Sequence, residues 1–259
     1  MTRHDTSRFQ VAIQRIRSLT DRHVRASTRN LLKSLLLRRN LPDLGSRVNS
    51  YGEFWDKAHD AGSHLWLTGS PPDEVFTRLG VQKWLSDANI KVLDVGVGEG
   101  LMAKRLREMD ICFDCLDISP IALNKVRNLC RAVFLEAENL PSSEYSLIMH
   151  HLVAQHMDDS ELRRQIMHLV RSLRPGGAIA LQFAAPIGVE ERSATENSMS
   201  FEKIVTGGFL RSTGEISEIV RSAGGQVAAL LPREQWSRSS CQFWVAHIGR
   251  DDSDAAAND

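Results

Sequence analysis

Several residue types that mark particular protein classes are scarce in this sequence. Cysteine occurs four times, at Cys112, Cys115, Cys130 and Cys241, which is too sparse for a disulfide-stapled framework. No uninterrupted apolar run approaches the roughly 20 residues that a membrane-spanning helix needs. The 32 Lys and Arg residues are matched by 32 Asp and Glu residues, so the basicity typical of proteins that bind nucleic acid through its phosphates is absent. We therefore expect a soluble, cytoplasmic protein with a small or neutral partner and no nucleic-acid partner.

The balanced charge is unevenly distributed along the chain. Residues 1–40 contain ten Lys and Arg residues but only two Asp residues, a net charge of +8, and their apolar residues recur at helical spacing. This pattern predicts one or two basic amphipathic helices within an N-terminal appendage or lid, residues 1–80. Three roles stay open for them: packing on the domain or another subunit, contact with an anionic membrane or protein partner, or a cleaved organellar presequence. The sequence does not indicate an oligomeric state.

Strand and helix signals alternate from residue 92 onwards. Apolar runs predict seven strands, at residues 92–95, 111–116, 132–135, 145–149, 178–183, 226–231 and 242–248. Helical patterns lie between them, at residues 101–109, 120–130, 158–173 and 213–223. The predicted fold class is α/β, with a doubly wound, mostly parallel seven-stranded sheet and helices on both faces, because such alternation implies right-handed crossovers. We expect this Rossmann-like domain to span residues 81–249 and a disordered acidic tail to occupy residues 250–259.

A glycine-rich turn follows the first predicted strand. Gly96, Gly98 and Gly100 stand at alternate positions, which suggests a loop pressed against a bound molecule, because glycine permits close approaches that a Cβ would block. The dinucleotide fingerprint G-x-G-x-x-G is broken, since Leu101 occupies the position of its third glycine. No P-loop Gly-Lys-Ser/Thr follows, and Glu99 would oppose an anion at the start of the next helix. The turn therefore predicts a ligand that has no pyrophosphate.

The turn and the acid before it resemble a motif of the class I S-adenosylmethionine-dependent methyltransferases, E/D-x-G-x-G-x-G, and further motifs follow in that family's order over roughly residues 80–250. The resemblance implies S-adenosyl-L-methionine as the cofactor. Gly96 and Gly98 would let the backbone approach its methionine moiety, and Asp94 would favour its cationic amino-acid end. Asp117, after the second strand, matches the acid that accepts hydrogen bonds from both ribose hydroxyls, and Ile118 would lie against the adenine.

Three later segments extend the resemblance. Residues 135–141 are similar to the family's G-D-A-E-x-L-P segment, which implies that Glu136, in place of aspartate, accepts from the adenine amino group and that the Ala137 amide donates to the ring. Residues 145–156 are similar to the family's fourth strand and its terminal Q-H pair. We also predict that His150, at the end of that strand, binds the cofactor. Residues 173–177, Leu-Arg-Pro-Gly-Gly, match the turn before the fifth strand.

Methyl transfer needs an acceptor atom in line with the sulfonium methyl group, so positioning and desolvation carry most of the catalysis, with a base if the acceptor is a hydroxyl. His150, His151 and His156 lie around the end of the fourth strand, and we predict His151 and His156 as catalytic candidates. The Asn/Asp-Pro-Pro-Tyr/Phe signature of amino methylation and the Pro-Cys pair of cytosine methylation are missing. The prediction is methylation of a small-molecule or glycan acceptor, with O-methylation favoured and N- or C-methylation open.

Other interpretations accompany this prediction. The chain could bind S-adenosylmethionine without turning it over, as a regulatory or scaffold protein acting through its basic N-terminal helices. The Cys112-x-x-Cys115 pair suggests zinc, but residues three apart in a strand face opposite sides and no second pair exists, so we predict no metal site. The aromatic segment of residues 51–59 and a long loop at residues 186–211 are candidates for a lid or an acceptor pocket.

Overall fold

A computed structural model describes residues 51–60, 71–186, 209–238 and 241–250 of the chain. The basic helices predicted in residues 1–40, most of the loop predicted at residues 186–211 and nearly all of the acidic tail lie outside these residues. Within them, one sheet is flanked by helices. None of the described helices has the length and apolar character that a membrane crossing requires.

Seven strands form the sheet. They are β1 (Lys91–Val95), β2 (Cys112–Leu116), β3 (Val133–Phe134), β4 (Tyr145–His150), β5 (Leu173–Pro186), β6 (Gly225–Arg238) and β7 (Cys241–Arg250). Their order across the sheet is β3-β2-β1-β4-β5-β7-β6. β7 runs antiparallel to both β5 and β6, and the other neighbouring strands are parallel. The predicted doubly wound, mostly parallel sheet is confirmed, and its strand order reverses between β1 and β4, where such folds bind ligands.

The helices precede the sheet or connect its strands. They are α1 (Tyr51–Asp60), α2 (Pro72–Leu79), α3 (Gln82–Leu85), α4 (Leu101–Glu108), α5 (Pro120–Val126), α6 (Asp159–Ser172) and α7 (Thr213–Ser222). Single 3₁₀ turns follow β3 at Ala137–Asn139 and β4 at Ala154–His156. The second of these turns belongs to the connection that carries the predicted catalytic histidines.

Local sequence sets where α6 begins. The Asp158 carboxylate accepts a hydrogen bond from the Glu161 amide at 2.9 Å, and the Glu161 carboxylate accepts from the Asp158 amide at 3.3 Å. This reciprocal capping box satisfies two amides that a helix start leaves open, and each such cap contributes about 1 kcal/mol. The connection between β4 and α6 therefore ends at Asp158, a position that the local sequence determines.

Two apolar layers hold the helices on the sheet. Along β4 the side chains alternate: Ile148 joins the layer under α6 and α7, whereas Leu147 and Met149 join the layer under α2, α4 and α5. We call the second side of the sheet the α2 face. Truncating a buried aliphatic side chain of either layer to Ala is expected to cost about 2–5 kcal/mol.

The chain divides into two compact units, residues 1–43 and residues 44–259. This division falls well before residue 80, where the predicted appendage ends. The reason lies in α2, because Val75, Phe76 and Leu79 are buried in the same apolar layer as β1 and β4. α2 therefore packs as part of the sheet domain.

β5 starts earlier than the sequence predicts. Tyr145 of β4 pairs with Leu173 of β5, and Leu147 of β4 pairs with Ala178 of β5. Between these two pairs β4 has one residue and β5 has four, residues 174–177, which form a bulge. The predicted Arg-Pro-Gly-Gly turn is thus an irregularity inside a strand that continues to Pro186.

Candidate functional site

Connections after β1, β2 and β4 meet at the carboxyl ends of the central strands. The Gly96 amide donates to the Leu116 carbonyl at 2.8 Å, which ties the glycine loop to the end of β2. The Gly98 amide donates to the Asp117 carboxylate at 3.2 Å. The structure therefore brings the glycine loop and Asp117 together, although they lie about twenty residues apart in the sequence.

All three loop glycines have a backbone that side chains rarely adopt, with φ of 75° at Gly96, 54° at Gly98 and 70° at Gly100. A Cβ on Gly96 would lie 2.3 Å from Val153 Cγ2, and one on Gly100 would lie 2.4 Å from Val126 Cγ1. A Cβ on Gly98 would meet nothing nearer than 3.9 Å. Packing against the protein itself explains Gly96 and Gly100, so only Gly98 leaves room for a ligand next to the backbone.

Asp94 is a fully buried carboxylate in β1, and neither of its oxygens has a hydrogen-bond partner among the described residues. Burial, followed by the negative charge of Asp117, raises the pKa of Asp94 to about 7. An orphaned buried carboxylate is costly unless a partner compensates it. A cationic group such as the ammonium of S-adenosylmethionine fits that requirement.

Asp117 lies at the start of the connection after β2 and is nearly buried. Its second oxygen accepts from the Ser119 amide at 2.9 Å, so the carboxylate joins two loops. Burial raises the pKa of Asp117 to about 6, against the opposing effect of the hydrogen bonds from Ser119 and Gly98. Each carboxylate oxygen has a further lone pair, which leaves capacity for the predicted ribose hydroxyls.

The predicted adenine contacts lie at the same edge of the sheet. Ile118 is 51% exposed and Leu135 is 46% exposed, and they follow the neighbouring strands β2 and β3. Ala137 is buried, whereas Glu136 is exposed and accepts from the Asn139 side chain at 3.4 Å. Leu135 is an apolar candidate that sequence reasoning missed, and its signal is a large aliphatic residue directly after a strand.

α1 packs on the glycine loop and on the start of α5. The Asp56 carboxylate accepts from the Ser119 hydroxyl and from the Ile121 amide at 3.5 Å. Glu99 forms an ion pair with Lys125, and its carboxylate lies 3.7 Å from His59 Nδ1. The negative charge of Glu99, which was expected to oppose an anionic ligand, thus lies next to His59 of α1 and Lys125 of α5.

The three histidines near the end of β4 occupy different surroundings. His150 is fully buried, and its Nε2 lies 2.7 Å from Gln165 Oε1 of α6, which accepts the hydrogen bond. Burial lowers the pKa of His150 to about 4. Its ring is therefore engaged by a helix on the face opposite α2, which favours a packing role over the predicted cofactor contact.

His151 is also buried, but its Nε2 has no hydrogen-bond partner among the described residues. Burial, followed by the positive charge of Arg78 in α2, lowers the pKa of His151 to about 3. The ring is therefore neutral at physiological pH and lies on the α2 face. It can exchange hydrogen bonds there but is a poor proton acceptor in this environment.

Gln182 of β5 is a second buried polar side chain on the α2 face. Leu181 pairs with His150, so Gln182 follows at the level of His151, and Gln182 lies opposite Val245 of the α2-face layer. Its Oε1 has no hydrogen-bond partner in the part of the chain that the structure describes. Sequence reasoning missed Gln182, although it is the one polar residue in the apolar run at residues 178–185.

His156 lies on the 3₁₀ turn after β4 and is half-buried. The Trp55 ring of α1 meets the His156 ring edge-on, with centroids 5.0 Å apart. Trp55 also stands 6.1 Å from the ring of His59. Trp55 of the aromatic segment thus connects the glycine-loop side of the site with the β4 connection.

Arg211 holds the connection between β4 and α6 in place through hydrogen bonds. Sequence reasoning did not identify this residue. Its buried guanidinium donates to the Asp159 carboxylate at 2.7 Å and to the carbonyls of Ala154 at 2.9 Å and Met157 at 2.5 Å. Its own amide donates to the Ala184 carbonyl at 2.8 Å. Arg211 therefore positions the turn that carries His156 relative to the end of β5.

Part of the sheet domain matches a known protein family. Residues 92–177 match the family model described as a methyltransferase domain. No curated protein matches the sequence significantly.

Solved structures share the fold at low sequence identity. A TehB-like S-adenosylmethionine-dependent methyltransferase from Corynebacterium glutamicum is 15% identical, with 76% of this chain and 97% of that chain covered and a TM-score of 0.52. The 1,6-didemethyltoxoflavin-N1-methyltransferase of Burkholderia thailandensis, solved with 1,6-didemethyltoxoflavin and S-adenosylhomocysteine, is 12% identical over 75% and 84%, with a TM-score of 0.57. The [4+2]-cyclase SpnF is 17% identical over 69% and 79%, with a TM-score of 0.51. At these identities the likeness is one of fold.

Proposed function

We propose that the chain, whose residues 92–177 match a methyltransferase domain model, transfers the methyl group of S-adenosylmethionine to a hydroxyl of a small-molecule or glycan acceptor. The bound cofactor supplies an electrophilic sulfonium methyl group. The protein must hold the acceptor in line with that group and exclude water. A small acceptor is supported by the Burkholderia structure, which contains one.

The buried carboxylate of Asp94 is the observation that carries the proposal. It is unpartnered among the described residues, it stands at the end of β1 before the one loop glycine with open space, and Asp117 lies close enough to raise its pKa. Two acids side by side favour a cationic ligand over a phosphate. Asp94 would hold the ammonium, and Asp117 would accept from the ribose hydroxyls.

On the acceptor side, we assign different roles to the two candidate histidines. His151 is neutral and, like Gln182, buried on the α2 face; the register of β4 and β5 puts them at the same level, so both side chains would orient the acceptor through hydrogen bonds. An acceptor hydroxyl other than the reacting one suits this pair, because it can both donate to the Gln182 oxygen and accept from an imidazole N–H. His156 is more accessible and would take the proton from the reacting hydroxyl.

Cofactor binding and turnover are tested separately. Isothermal titration should detect binding of S-adenosylmethionine and S-adenosylhomocysteine to the wild-type chain. Asp117→Asn should weaken this binding about 10–100-fold, because it removes charge-assisted hydrogen bonds. Glu108→Gln, on the exposed end of α4, is the matched control and should bind normally. Release of S-adenosylhomocysteine is then measured with a panel of hydroxylated metabolites, glycans and amines.

The two measurements distinguish the competing functions. Turnover with a hydroxylated acceptor supports O-methyl transfer, and turnover with amines alone would replace it by N-methylation. Tight cofactor binding without turnover would favour the alternative, a regulatory or scaffold protein that binds S-adenosylmethionine. Absence of any cofactor binding would contradict both functions.

A further inference from the structure

His59 of α1 lies beside the one loop glycine that has open space next to its backbone. The ring Cε1 of His59 is 3.9 Å from the position that a Cβ on Gly98 would take. Apart from residues of the glycine loop itself, no other described residue comes within 4 Å of that position. The His59 side chain is only 4% exposed. The imidazole therefore forms a buried wall of the space beside Gly98.

Charged neighbours hold this ring in place. The His59 Nδ1 atom lies 3.7 Å from the carboxylate of Glu99, at the end of the glycine loop. The Lys125 ammonium of α5 donates to the same carboxylate and, at 3.2 Å, to the His59 backbone carbonyl. In an imidazole Nε2 is bonded to Cε1, the atom that faces Gly98, so this second ring nitrogen borders the same space.

A second set of hydrogen bonds attaches α1 to the connection after β2. The Asp56 carboxylate accepts from the Ser119 hydroxyl and from the Ile121 amide, the latter at 3.5 Å. The Ser119 amide in turn donates to the Asp117 carboxylate at 2.9 Å. α1 is therefore attached both to the glycine loop and to the connection that carries the proposed ribose-binding acid. The position of His59 thus does not depend on a single contact.

The chemistry of the neighbouring acids indicates which cofactor group meets His59. Asp94 and Asp117 suit the ammonium and the ribose hydroxyls of S-adenosylmethionine, all of which are hydrogen-bond donors. The cofactor's carboxylate is on the same carbon as the ammonium and needs donors of its own, because a desolvated anion without them is costly. An imidazole that is protonated at both nitrogens can face Glu99 with one N–H and donate to a ligand with the other. Carboxylates on either side of the ring favour that protonated form.

We propose that His59 is a further cofactor-binding residue whose imidazole donates a hydrogen bond from Nε2 to the carboxylate of S-adenosylmethionine, an assignment that rests on the proposed function. Glu99 and Lys125 orient the ring, and Asp56 holds α1 against the connection after β2. The bound cofactor would then contact both the glycine loop and α1.

Titration with two forms of the cofactor tests this contact in the full-length chain. Decarboxylated S-adenosylmethionine lacks only the carboxylate and keeps the sulfonium, the ammonium and the ribose. The wild type should bind S-adenosylmethionine at least about tenfold more tightly than the decarboxylated compound, because a hydrogen bond to a charged group is missing from the latter. His59→Ala should weaken binding of S-adenosylmethionine about tenfold and leave the affinity for the decarboxylated compound within about twofold of wild type.

Two further variants accompany His59→Ala. Glutamine keeps a side-chain N–H donor, so His59→Gln should retain part of the preference for the compound that has the carboxylate. Asp60 is the next residue of α1 and is exposed, and Asp60→Asn should leave both affinities unchanged. Should urea denaturation show that His59→Ala is not folded, the wild-type comparison and His59→Gln provide the test.

Equal affinity of the wild type for the two compounds would overturn the proposal. A folded His59→Ala variant that loses affinity for both compounds equally, or for neither, would also overturn it, because the histidine would then not recognise the carboxylate. A wild-type chain that binds neither compound would instead contradict the proposed cofactor itself. Failure of this contact and failure of the proposed function therefore give different results.

Discussion

The Arg211 guanidinium donates to the Asp159 carboxylate at 2.7 Å across 52 residues of sequence, with the arginine side chain 1% exposed and the aspartate 52% exposed. The same guanidinium donates to two carbonyls of the β4 connection, at Ala154 and Met157. A buried cation with three acceptors defines one geometry for that connection. Since the connection carries His156, Arg211 is a positioning residue for the acceptor side.

Replacing Arg211 by methionine keeps much of its volume but removes every donor. The carbonyls of Ala154 and Met157 would lose these donors inside the protein, and we expect the free energy of unfolding to fall by about 2–4 kcal/mol. Urea denaturation measures this loss. Turnover should fall more than cofactor affinity, because the displaced turn lies on the acceptor side.

Arg221→Met is the matched control for that substitution. Arg221 pairs with Glu218, but their side chains are 73% and 58% exposed. An exposed pair of this kind contributes little, so its loss should change stability by about 0.5 kcal/mol or less. Equal effects of the two substitutions would refute the positioning role of Arg211.

The raised pKa of Asp94, about 7, predicts how the stability of the cofactor-free protein depends on pH. Between about pH 4 and pH 7 the native state binds this proton more tightly than the unfolded state, whose Asp pKa is ordinary, so stability falls as pH rises through that window. A shift of about three pKa units corresponds to about 4 kcal/mol. Asp94→Asn should therefore stabilise the cofactor-free chain at pH 8 by up to about that amount and change little at pH 4.

The same Asp94→Asn substitution should weaken S-adenosylmethionine binding about 10–100-fold, because the ammonium loses a charged acceptor. Denaturation at several pH values and titration of the cofactor measure the two effects. Asp110→Asn is a suitable control, since Asp110 is exposed and asparagine tolerates its positive φ. If Asp94→Asn left the pH dependence unchanged, Asp94 would not be the titrating group.

The sequence predicts the parts of the site that short motifs encode. Asp94, the glycine loop and Asp117 belong to two strand-to-loop junctions, and parallel strands necessarily bring their carboxyl ends together. The helix boundaries set by Asp158 and Ser212 are equally local, because each capping box needs only four residues.

Contacts between residues that are far apart in the chain could not be predicted from the sequence. Arg211 could not be assigned because its acceptors lie 52 to 57 residues away, and two of them are backbone carbonyls that have no sequence signal. His150 and His151 are adjacent, and only the structure shows which of them meets Gln165 and which turns to the α2 face. Likewise, Val153 and Val126 determine why Gly96 and Gly100 must be glycine.

Alanine substitutions in the glycine loop separate packing from ligand approach. Gly100→Ala should lower the free energy of unfolding by about 2–4 kcal/mol, because it adds a Cβ 2.4 Å from Val126 Cγ1 at a positive φ. In a Val126→Ala background the same change should cost about 1–2 kcal/mol less, as measured by a double-mutant cycle.

Gly98→Ala should behave in the opposite way. Its Cβ meets no described atom nearer than 3.9 Å, so only the backbone conformation is penalised, at about 1–2 kcal/mol. Cofactor affinity, however, should fall at least about tenfold if the cofactor occupies the space beside this backbone, a loss of about 1.4 kcal/mol or more. Unchanged affinity in a folded Gly98→Ala variant would place the cofactor elsewhere.

The two candidate histidines make different predictions for the pH dependence of turnover with an acceptor found in the release assay. Because the pKa of His151 is lowered to about 3, its ring stays neutral across the pH range of the assay. Its titration therefore does not change turnover in that range. His151→Asn should therefore raise KM for the acceptor while the pH profile keeps its shape. His156→Ala should lower kcat about 100-fold or more, the typical contribution of a general base, with cofactor affinity within about threefold of wild type.

Added imidazole should partly restore the kcat of His156→Ala, because a small base can enter the space that the side chain leaves, and it should not restore His151→Asn. His168→Gln, on α6, is the control for a histidine outside the site and should retain full turnover. If His151→Asn changed the shape of the pH profile and His156→Ala left turnover unchanged, the cofactor or acceptor would have to change the surroundings of His151 on binding. The proton acceptor would then be the buried histidine, and Trp55 would serve only to pack α1 against the β4 connection.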